Sequence, residues 1–560
     1  MTAVTPDQPD PPDEDALGEL VTALIALGYD TSLIVRVLGR DGFHQAMSGN
    51  PGAAVWFLDR STAPVRDILV VRTFFLREPV SSPDLADVFG DDLVTRLTAG
   101  GVLTPDAPGV PDVPDDPAAA AVRCTVDIRP VDPGKHREGA GEAGILVVSD
   151  PDASFDDVVP GPDHVPGVGQ APLTLLNQVP TGAVDRLLDL GTGSGVLSLV
   201  LPARETVATD IHPRALAFAR VSARSIRTPA DTADSADAAN AGVRHIDWRT
   251  GSWFEPVADE TFDRIVSNPP FVVGPGEVGH VYRDSGIALD GATALVVRGA
   301  CDHLSPGGTA HLLGAWATGL SESPASRVAA WLPDEGIRAW IIQRDEVGPA
   351  DYVRTWLTDE SVDVRTPEGR GRTSRWLDVF AEAGVARIGM GYVHLQRITG
   401  PSEVTFEEIA TPDLGFFGDE VSEYFGRAGW LAERDADALL DSSYRVRPTV
   451  ARENVELPDR TTGAGFRGIV TRLTRTDGPR FSHEVDEPLS SVVAGLNPTG
   501  LSLRDTAELY CAVSGRDPEE FCRALVPLVV DLVRHGMLIP VDLDDTDGSE
   551  SSVATTEVEL

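Results

Sequence analysis

The feature that most constrains the fold is a glycine-rich segment, LLDLGTGSGVLSL, at residues 187–199. An apolar run ends at Asp189, glycines then occupy every second position, and a helical pattern begins near Val196. Glycine lets a backbone turn sharply and lets a ligand lie against it where a Cβ would intrude. The segment therefore predicts a strand, a ligand-binding loop and a helix. The candidate binding residues in it are Asp189, Gly191, Thr192, Gly193, Ser194 and Gly195.

The residues around this loop alternate between strand-like and helix-like patterns. Each strand pattern is a short apolar run, and the stretches between them have helical periodicity. This alternation is typical of a doubly wound α/β fold, in which ligands lie beyond the carboxyl ends of parallel strands. The predicted strands are, in order, RLLDL, ETVATD, VRHIDW, FDRIVS, GGTAHLLGAW, IRAWIIQRD and ARIGMGYVHLQRI.

A carboxylate stands at the predicted end of the second strand. Asp210 follows Gly191 by nineteen residues, a spacing at which an acidic side chain can bind both ribose hydroxyls of an adenosine ligand. The GxGxG spacing, with Val196 after it, departs from the GxGxxG or GxGxxA fingerprint and weakens a nicotinamide-cofactor interpretation. Two alternatives stay open: the glycines form only a tight turn, and Asp210 is only a helix N-cap ahead of Pro213.

A second segment with chemical potential is FDRIVSNPPFV, at residues 262–272. It places the tetrapeptide Asn268, Pro269, Pro270 and Phe271 at the predicted end of the fourth strand. Because ligands bind beyond the carboxyl ends of such strands, the tetrapeptide and the glycine loop are expected to share one crevice. The alternative is a simple strand-ending turn.

The Asn-Pro-Pro-Phe tetrapeptide suits chemistry at a planar nitrogen, which is a poor nucleophile because its lone pair is delocalised into a carbonyl or ring. The Asn268 side-chain carbonyl and a rigid proline carbonyl can accept both N–H bonds, which favours localisation of that lone pair at the transition state. No strong general base is then required. The prolines stiffen the loop, and Phe271 can stack on a flat acceptor.

Taken in order, DLGTGSG, ATD, GSWF and NPPF resemble the motifs of class I methyltransferases of the small-domain type, especially the release-factor glutamine methyltransferases. The resemblance spans about residues 165–400. It implies a Rossmann-like core of seven strands, S-adenosyl-L-methionine as cofactor, and methyl transfer as the reaction.

The resemblance also assigns roles to individual residues. It implies that the Gly191–Gly195 loop binds the methionine part of the cofactor and that Asp210 binds its ribose. Trp253 would lie near the adenine, and Asn268–Phe271 would hold the acceptor glutamine. The other implied cofactor-binding residues are Ile211 and Ser252, with Asn268 shared between cofactor and acceptor.

Two positions differ from the usual pattern of the glutamine enzymes. Phe271 stands where they commonly have tyrosine, as in the related ribosomal-RNA guanine and adenine N-methyltransferases, and Ser252 stands where an acidic residue often precedes the tryptophan. We predict a glutamine amide of a translation (release) factor as the acceptor. The alternative is guanine N2 or adenine N6 in rRNA or tRNA, where the base would be unpaired or flipped to reach Asn268.

Two other classes of function fit less of the sequence. A non-catalytic regulator that senses the cofactor and binds DNA would need basic residues clustered on a flanking helix, and the C-terminal candidate carries Arg523, Arg534 and little else. A nicotinamide-dependent oxidoreductase would need a catalytic His, Lys or Tyr constellation, which the sequence does not display.

The net charge of -41, from 46 basic and 87 acidic residues, makes the average surface repel phosphate backbones and anionic membranes. A nucleic-acid partner would therefore need a local basic patch. The N-terminus lacks a signal-peptide pattern, and the most apolar stretch, residues 524–541, is interrupted by charges. We predict a cytoplasmic protein without a membrane partner.

The four cysteines show no CxxC spacing, and the eleven histidines show no HxxxH or HExxH spacing. These are the spacings that zinc sites and metalloproteases commonly use. We therefore predict no metal site.

The pattern of predicted elements divides the chain into a catalytic region and two flanking regions. Residues 528–540, LVVDLVRHGMLIP, match 93–105, LVTRLTAGGVLTP, which suggests two winged-helix-like modules or an ordinary helix–turn–strand that occurs twice. The predicted organisation is a disordered segment at 1–16, an N-terminal helical and winged-helix-like domain at 17–160, the methyltransferase domain at 161–400, a C-terminal α+β domain with a winged-helix-like end at 401–541, and an acidic disordered tail at 542–560.

Two further segments are candidates for the rim of the site. Arg283, Asp284 and Ser285 in VYRDSG follow the tetrapeptide and either line the acceptor entrance or form a surface loop. Residues 164–176, HVPGVGQAPLTLL, precede the first core strand and are a candidate cover for the cofactor.

Overall fold

The computed structural model describes residues 12–105, 121–137, 144–151, 161, 163–226, 245–276, 285–360, 362–409 and 415–544. The chain forms two compact units, Met1–Glu408 and Ile409–Leu560. Several features that the sequence predicts lie outside the described residues. They are an Ala/Asp-rich stretch at 229–242, which its composition predicts to be a solvated surface insertion, most of a Pro/Asp/Ala-rich linker at 105–118, Arg283, Asp284, and the tail beyond residue 544.

The first unit contains the N-terminal region predicted at 17–160, called the head below, and the predicted methyltransferase region. Its helices are α1 (Glu14–Ala26), α2 (Thr31–Met47), α3 (Pro51–Leu58), α4 (Val65–Phe74), α5 (Ser82–Phe89), α6 (Asp91–Ala99), α7 (Gln170–Leu176), α8 (Val196–Val200), α9 (Pro213–Ala223), α10 (Gly291–His303), α11 (Pro324–Ala329), α12 (Pro349–Asp359) and α13 (Pro367–Glu382). Its strands are β1 (Val80–Ser81), β2 (Leu103–Pro105), β3 (Ala121–Cys124), β4 (Asp127–Val131), β5 (Ile145–Ser149), β6 (Val184–Leu190), β7 (Ala203–Asp210), β8 (His245–Thr250), β9 (Phe262–Ser267), β10 (Leu304–Thr318), β11 (Glu335–Val347), β12 (Arg387–Pro401) and β13 (Glu403–Glu408).

The first helix begins earlier than predicted. Residues 1–16 were expected to be disordered, but α1 begins at Glu14. The Asp13 side chain caps it by accepting the Ala16 N–H at 2.8 Å, and Ala16 is buried in the head core. A cap and a buried first turn together stabilise a helix start that acidic composition alone does not reveal.

The head contains two helices between two short strands. Helices α5 and α6 lie between β1 and β2, and the three head strands have the order β1-β3-β2. Strand β3 is antiparallel to both of its neighbours. This order of helices and strands fits a winged helix, and that identity of the region stays a prediction.

The central sheet has the order β13-β11-β12-β10-β9-β6-β7-β8. Strands β6 to β10 run parallel, and β12 is antiparallel to β10 and β11. Each of the seven predicted strand patterns is a strand of this sheet. The fold class is therefore confirmed as a doubly wound α/β core.

The sheet differs from the prediction in having eight strands among the described residues. The additional strand, β13, lies beyond residue 400 and forms the edge of the sheet by pairing in parallel with β11. The Glu403 carboxylate pairs with Arg338 at 2.9 Å, and Phe406 packs against the core. Its sequence, EVTFEE, alternates polar and apolar residues as an edge strand does. It was not predicted as a strand because it is rich in glutamate, which is uncommon in strands.

The strand order places one crevice at the centre of the sheet. Strand β6 pairs with β7 on one side and with β9 on the other. After β6 the chain crosses to β7, and after β9 it crosses to β10 on the opposite side of the sheet. These opposite crossovers open a space beyond the carboxyl ends of β6 and β9. The glycine loop follows β6, and the Asn-Pro-Pro-Phe tetrapeptide follows β9.

The second unit is a separate α+β structure. Its helices are α14 (Gly418–Ala432), α15 (Ala436–Asp441), α16 (Glu487–Gly495), α17 (Leu503–Ser514), α18 (Pro518–Arg534) and α19 (Val541–Asp544). Its strands are β14 (Tyr444–Val446), β15 (Val450–Pro458), β16 (Phe466–Arg475), β17 (Ser482–Val485) and β18 (Leu538–Pro540). Helix α19 occupies the start of the stretch that was predicted as a disordered tail from residue 542.

The predicted similarity between 93–105 and 528–540 holds for the local turn. Gly101 and Gly536 have φ angles of 72° and 66°, and in both turns the following N–H donates to the carbonyl five residues earlier, at 2.9 and 2.8 Å. The strands then differ. Strand β2 pairs with β3, whereas β18 pairs with β14 and is followed by α19, so the C-terminal end shares only the helix–turn–strand element.

Among the described residues, no single helix has the length and apolar character to cross a membrane. The helices Glu14–Ala26 and Thr31–Met47, bent by 72°, pass that test only when taken together.

Candidate functional site

A cavity of about 570 Å³ opens at the carboxyl ends of β6, β7 and β9. This volume lies in the range of small-molecule and cofactor sites. Predicted site residues that line it are Gly191, Thr192, Gly193, Ser194, Asp210, Ile211, Ser252, Trp253, Asn268, Pro269, Pro270, Phe271 and Ser285. Asp189 and Gly195 do not line the cavity and support the loop from behind.

The glycine loop needs its glycines for two different reasons. Gly191, Gly193 and Gly195 have φ angles of 74°, 53° and 92°, a region that favours glycine. A Cβ at Gly191 or Gly193 would meet no protein atom within 4 Å, whereas one at Gly195 would lie 3.1 Å from the Ala219 Cβ. The first two glycines therefore leave open space beside the backbone, and the third permits close packing against α9.

Asp189 holds the loop in shape. Its Oδ2 accepts the Thr192 hydroxyl at 2.6 Å and the Ser198 N–H at 2.9 Å. The side chain is buried, and its Oδ1 has no hydrogen-bond partner among the described residues. Burial raises the pKa of Asp189 to about 6, against the opposing effect of the Thr192 and Ser198 bonds.

Asp210 links three segments around the cavity. Its Oδ2 accepts the Gly193 N–H at 2.9 Å, and its Oδ1 accepts the His212 N–H at 2.8 Å. Its backbone carbonyl accepts the Gly251 N–H at 3.0 Å. Helix α9 has His212 as its N-cap residue, so the alternative role of Asp210 as that N-cap is wrong. Burial raises the pKa of Asp210.

Apolar groups flank Asp210 on the cavity wall. Ile211 is 56% exposed, which is unusual for isoleucine and leaves it free to contact a ligand. Trp253 adopts a φ of 50°, in the left-handed region, and its ring packs against the core of the sheet. Together they form walls suited to a flat ring.

The tetrapeptide is fixed from both sides. The Ser267 hydroxyl, immediately before it, donates to the Leu190 carbonyl at 2.8 Å and so joins the ends of β9 and β6. Beyond it, the Val273 N–H donates to the Tyr352 hydroxyl at 2.8 Å, in a buried contact with α12. Phe271 packs against the apolar cluster that contains Val273 and Tyr352. Asn268 is thereby held at the cavity by two rigid neighbours.

The segment before α7, together with the first turn of that helix, lines part of the cavity. Residues 163–167 and 169–172 line it, which includes much of the predicted cover at 164–176. The segment is held by Asp150, which accepts the Val165 N–H at 2.9 Å and pairs with Arg214. Asp163 in turn lies 3.1 Å from the His212 ring nitrogen. The local sequence pattern did not predict these contacts, because they join residues that are 15 to 64 positions apart.

Sequence analysis also missed two cavity residues on α12, Trp356 and Asp359. Helices α12 and α13 lie between β11 and β12, and α12 begins 78 residues after Phe271. The local sequence around Trp356 and Asp359 does not indicate a ligand site, because only the fold brings helix α12 to the cavity.

Within the ranges that the structure describes, no group of three or more His, Cys, Asp or Glu side chains has an arrangement that could hold a metal ion.

Family comparisons agree with the predicted resemblance. Residues 167–312 match the model of the methyltransferase small domain, and residues 422–540 match a domain of unknown function, DUF7782. A curated relative from Xylella fastidiosa strain Temecula1, named release factor glutamine methyltransferase, is 32% identical to this chain over 150 residues. The aligned region covers 24% of this chain and 49% of the relative. The relative of the same name in Bordetella pertussis is 30% identical over 191 residues, covering 31% of this chain and 62% of its own length.

The chain spans about half the length of the first of these relatives. Among solved structures, a Thermus thermophilus 16S rRNA N2 G1207 methyltransferase in complex with AdoMet and guanosine is 17% identical, with 46% of this chain and 59% of that chain covered and a TM-score of 0.23. A methyltransferase from Thiobacillus denitrificans in complex with S-adenosyl-L-homocysteine is 16% identical, with coverage of 41% and 92% and a TM-score of 0.21. The family match and the sheet order together identify residues 167–312 as a methyltransferase small domain within a class I methyltransferase fold.

Proposed function

We propose that this protein is an S-adenosyl-L-methionine-dependent N-methyltransferase that acts on the side-chain amide of a glutamine in a translation factor. The observation that carries the proposal is the shared cavity: the glycine loop, Asp210 and the Asn268–Phe271 tetrapeptide all line it. A methyl donor and a planar nitrogen can therefore be bound side by side.

The residues at the glycine loop fit the proposed cofactor. Space beside Gly191 and Gly193 is open on the side where a Cβ would project, which suits a ligand that lies against the backbone. Asp210 keeps acceptor capacity on both oxygens for ribose hydroxyls, since a carboxylate offers about four lone-pair sites. Ile211 and Trp253 suit the adenine, and the unpaired Asp189 oxygen adds negative charge behind the loop.

The bound cofactor would supply an electrophilic methyl group on a sulfonium. The chain would supply position and electrostatics. The Asn268 side-chain carbonyl and the Pro269 carbonyl accept hydrogen bonds from the two N–H groups of the substrate amide. These bonds orient the nitrogen lone pair toward the methyl group, while Phe271 stacks on the amide plane. The N–C bond would form as the S–C bond of the sulfonium breaks, with S-adenosyl-L-homocysteine as the leaving group. No residue needs to remove the proton before transfer, because the nitrogen becomes acidic as it gains positive charge and would then release its proton to water.

The choice of glutamine is supported by the names of the curated relatives, which are release factor glutamine methyltransferases. A second candidate, an exocyclic amine of an RNA base, is favoured by Phe271, since bases stack on aromatic side chains. Either acceptor is consistent with the predicted cytoplasmic location, which stays a prediction.

The test is to incubate the purified protein with radiolabelled S-adenosyl-L-methionine and a lysate from cells that lack its gene. Labelled material is then digested with RNase or with protease. We expect label that survives RNase and is lost with protease, and we expect its release as N5-methylglutamine on proteolysis to amino acids.

Asn268→Ala is the active-site control, and it should lower labelling by about a hundredfold or more, whereas cofactor affinity, to which Asn268 is only one of several contributors, should fall by about tenfold at most. Label that is lost with RNase would transfer the assignment to an RNA base. Absence of labelling in both pools, with cofactor binding intact, would contradict a methyltransferase function and favour a cofactor sensor.

A further inference from the structure

We infer that Trp356 and Asp359 of α12 select the acceptor, and that the acceptor they fit is a polypeptide segment whose backbone N–H donates to the Asp359 carboxylate. The inference rests on the proposed function and adds to it a recognition wall outside the methyltransferase small domain, which ends at residue 312.

Helix α12 is attached directly to the acceptor end of the cavity. The buried Tyr352 hydroxyl accepts the Val273 N–H at 2.8 Å, five residues after Asn268. Residues 352, 356 and 359 follow at spacings of four and three, so they lie on one helix face. The anchor of Tyr352 therefore brings Trp356 and Asp359 to the same cavity that Phe271 lines.

Asp359 is placed where a carboxylate does not help the fold. It is the last residue of α12, and a negative charge at a helix C-terminus is disfavoured by the helix dipole. Its neighbour Glu360 forms an ion pair with Arg372, whereas the Asp359 side chain forms no hydrogen bond or ion pair within the described part of the chain. An exposed, unpaired carboxylate at this position suits a ligand that brings a donor.

The charge around the cavity favours a protein over a nucleic acid. No lysine or arginine is among the described residues that line it, whereas Asp163, Asp210 and Asp359 are. A flipped nucleotide would bring two flanking phosphates to this acidic mouth, where the described lining offers no lysine or arginine to receive them. A polypeptide brings uncharged backbone N–H donors instead.

The two aromatic rings suit the rest of a glutamine side chain. Phe271 and Trp356 both line the cavity and both pack against the cluster that contains Val272 and Tyr352. Flat apolar surfaces of this kind can cover the two methylene groups and the amide plane of glutamine. Asp359, one helical turn further, would then receive an N–H from the backbone that carries the glutamine.

The experiment compares three variants on two substrate pools from cells that lack the gene: RNase-treated total protein, and phenol-extracted total RNA. The variants are Trp356→Ala, Asp359→Asn and Asp359→Glu, with Asp351→Asn as the matched control. Asp351 is an exposed carboxylate on the same helix that pairs with Arg354. Labelling by radiolabelled S-adenosyl-L-methionine is measured as a function of pool concentration, together with cofactor affinity and thermal unfolding.

We expect Trp356→Ala and Asp359→Asn to lower labelling of the protein pool by roughly tenfold to hundredfold at low pool concentration. The loss from Asp359→Asn should shrink at high concentration, because the residue binds the acceptor rather than reacting with it. Asp359→Glu should keep much of the activity, Asp351→Asn all of it, and cofactor affinity should be unchanged throughout.

Unchanged protein labelling by both Trp356→Ala and Asp359→Asn would overturn the inference while leaving the proposed function intact, provided that wild type labels the pool and Asn268→Ala does not. Labelling of the RNA pool by wild type would overturn the polypeptide acceptor. Failure of wild type to label either pool would instead contradict the proposed function itself.

Discussion

The Asp210 carboxylate accepts the Gly193 N–H at 2.9 Å, so the residue at the end of β7 fixes the shape of the loop after β6. The same carboxylate accepts the His212 N–H through its other oxygen. Asp210 therefore has two structural bonds in addition to the ribose contact proposed for it. Its substitution affects the cofactor site both directly and through the glycine loop.

The first prediction concerns these two bonds. Asp210→Ala removes the acceptor of both N–H groups, and we expect the dissociation constant for S-adenosyl-L-methionine to rise by about a hundredfold, measured by isothermal titration calorimetry. Asp210→Asn keeps one acceptor and should have a smaller effect. The control is Asp185→Ala, a carboxylate at the start of β6 that is exposed and pairs with Arg204 at the surface. Equal affinities for Asp210→Ala and the control would contradict the role of Asp210.

The second prediction separates the two functions of the glycines. Gly193→Ala places a methyl group in open space beside the loop, so it should weaken cofactor binding at least tenfold and lower the free energy of unfolding by only about 1 kcal/mol, the strain of a left-handed alanine. Gly195→Ala adds the close contact with the Ala219 Cβ and should destabilise the fold more, by about 2–3 kcal/mol.

Calorimetry and urea unfolding on both variants check this difference. A larger loss of stability in Gly193→Ala than in Gly195→Ala would show that the loop packs differently from the structure described above.

The core of the fold could be predicted because its patterns are local. Strands β6, β7 and β9 each contain an uninterrupted run of four buried residues, and Asp189, Asp210 and Asn268 stand at strand ends, which parallel pairing brings to one edge of the sheet. Strand β13 escaped prediction because an edge strand buries only part of one face, and glutamates fill the rest. The start of α1 was missed because the Asp13 cap lies in an acidic, proline-rich segment that reads as disordered.

The site could be predicted only where its residues lie next to a motif. Trp356 and Asp359 are in a helix that the fold brings back to the cavity through the Tyr352 contact with Val273, and nothing in their local sequence indicates a ligand. Asp150 and Arg214 are similar, since their pair secures the cover segment across 64 residues. Long-range contacts of this kind leave no periodic trace in a single sequence.

The third prediction follows from the buried Asp189. Burial raises its pKa to about 6 from the ordinary 3.8, so the folded protein holds a proton that the unfolded chain has released between about pH 4 and pH 6. The contribution of this group to stability therefore falls as the pH rises through that range. Above it, the ionised carboxylate costs about 2–3 kcal/mol.

Asp189→Asn removes this charge while its amide oxygen can still accept the Thr192 and Ser198 bonds. In the absence of cofactor, we expect the variant to be more stable than wild type at about pH 8, by about 1–3 kcal/mol, and the difference to shrink toward about pH 4.5. Urea unfolding at a series of pH values measures it. A difference independent of pH would show that Asp189 is not the group that titrates. Cofactor affinity should fall, since the variant lacks the negative charge behind the loop.

The last prediction concerns Tyr352, which is a positioning residue because it contacts the Val273 backbone and not the acceptor. Tyr352→Phe leaves the buried Val273 N–H without an acceptor and should lower the free energy of unfolding by about 1–3 kcal/mol. Because the tetrapeptide loses one of its two fixed ends, kcat for methyl transfer should fall roughly tenfold while the cofactor dissociation constant stays the same. Tyr510→Phe removes an equivalent hydroxyl from a surface bond with Glu487 and should change neither quantity. A fall in cofactor affinity that matches the fall in kcat would instead mean that Tyr352 supports the whole cavity rather than the acceptor end.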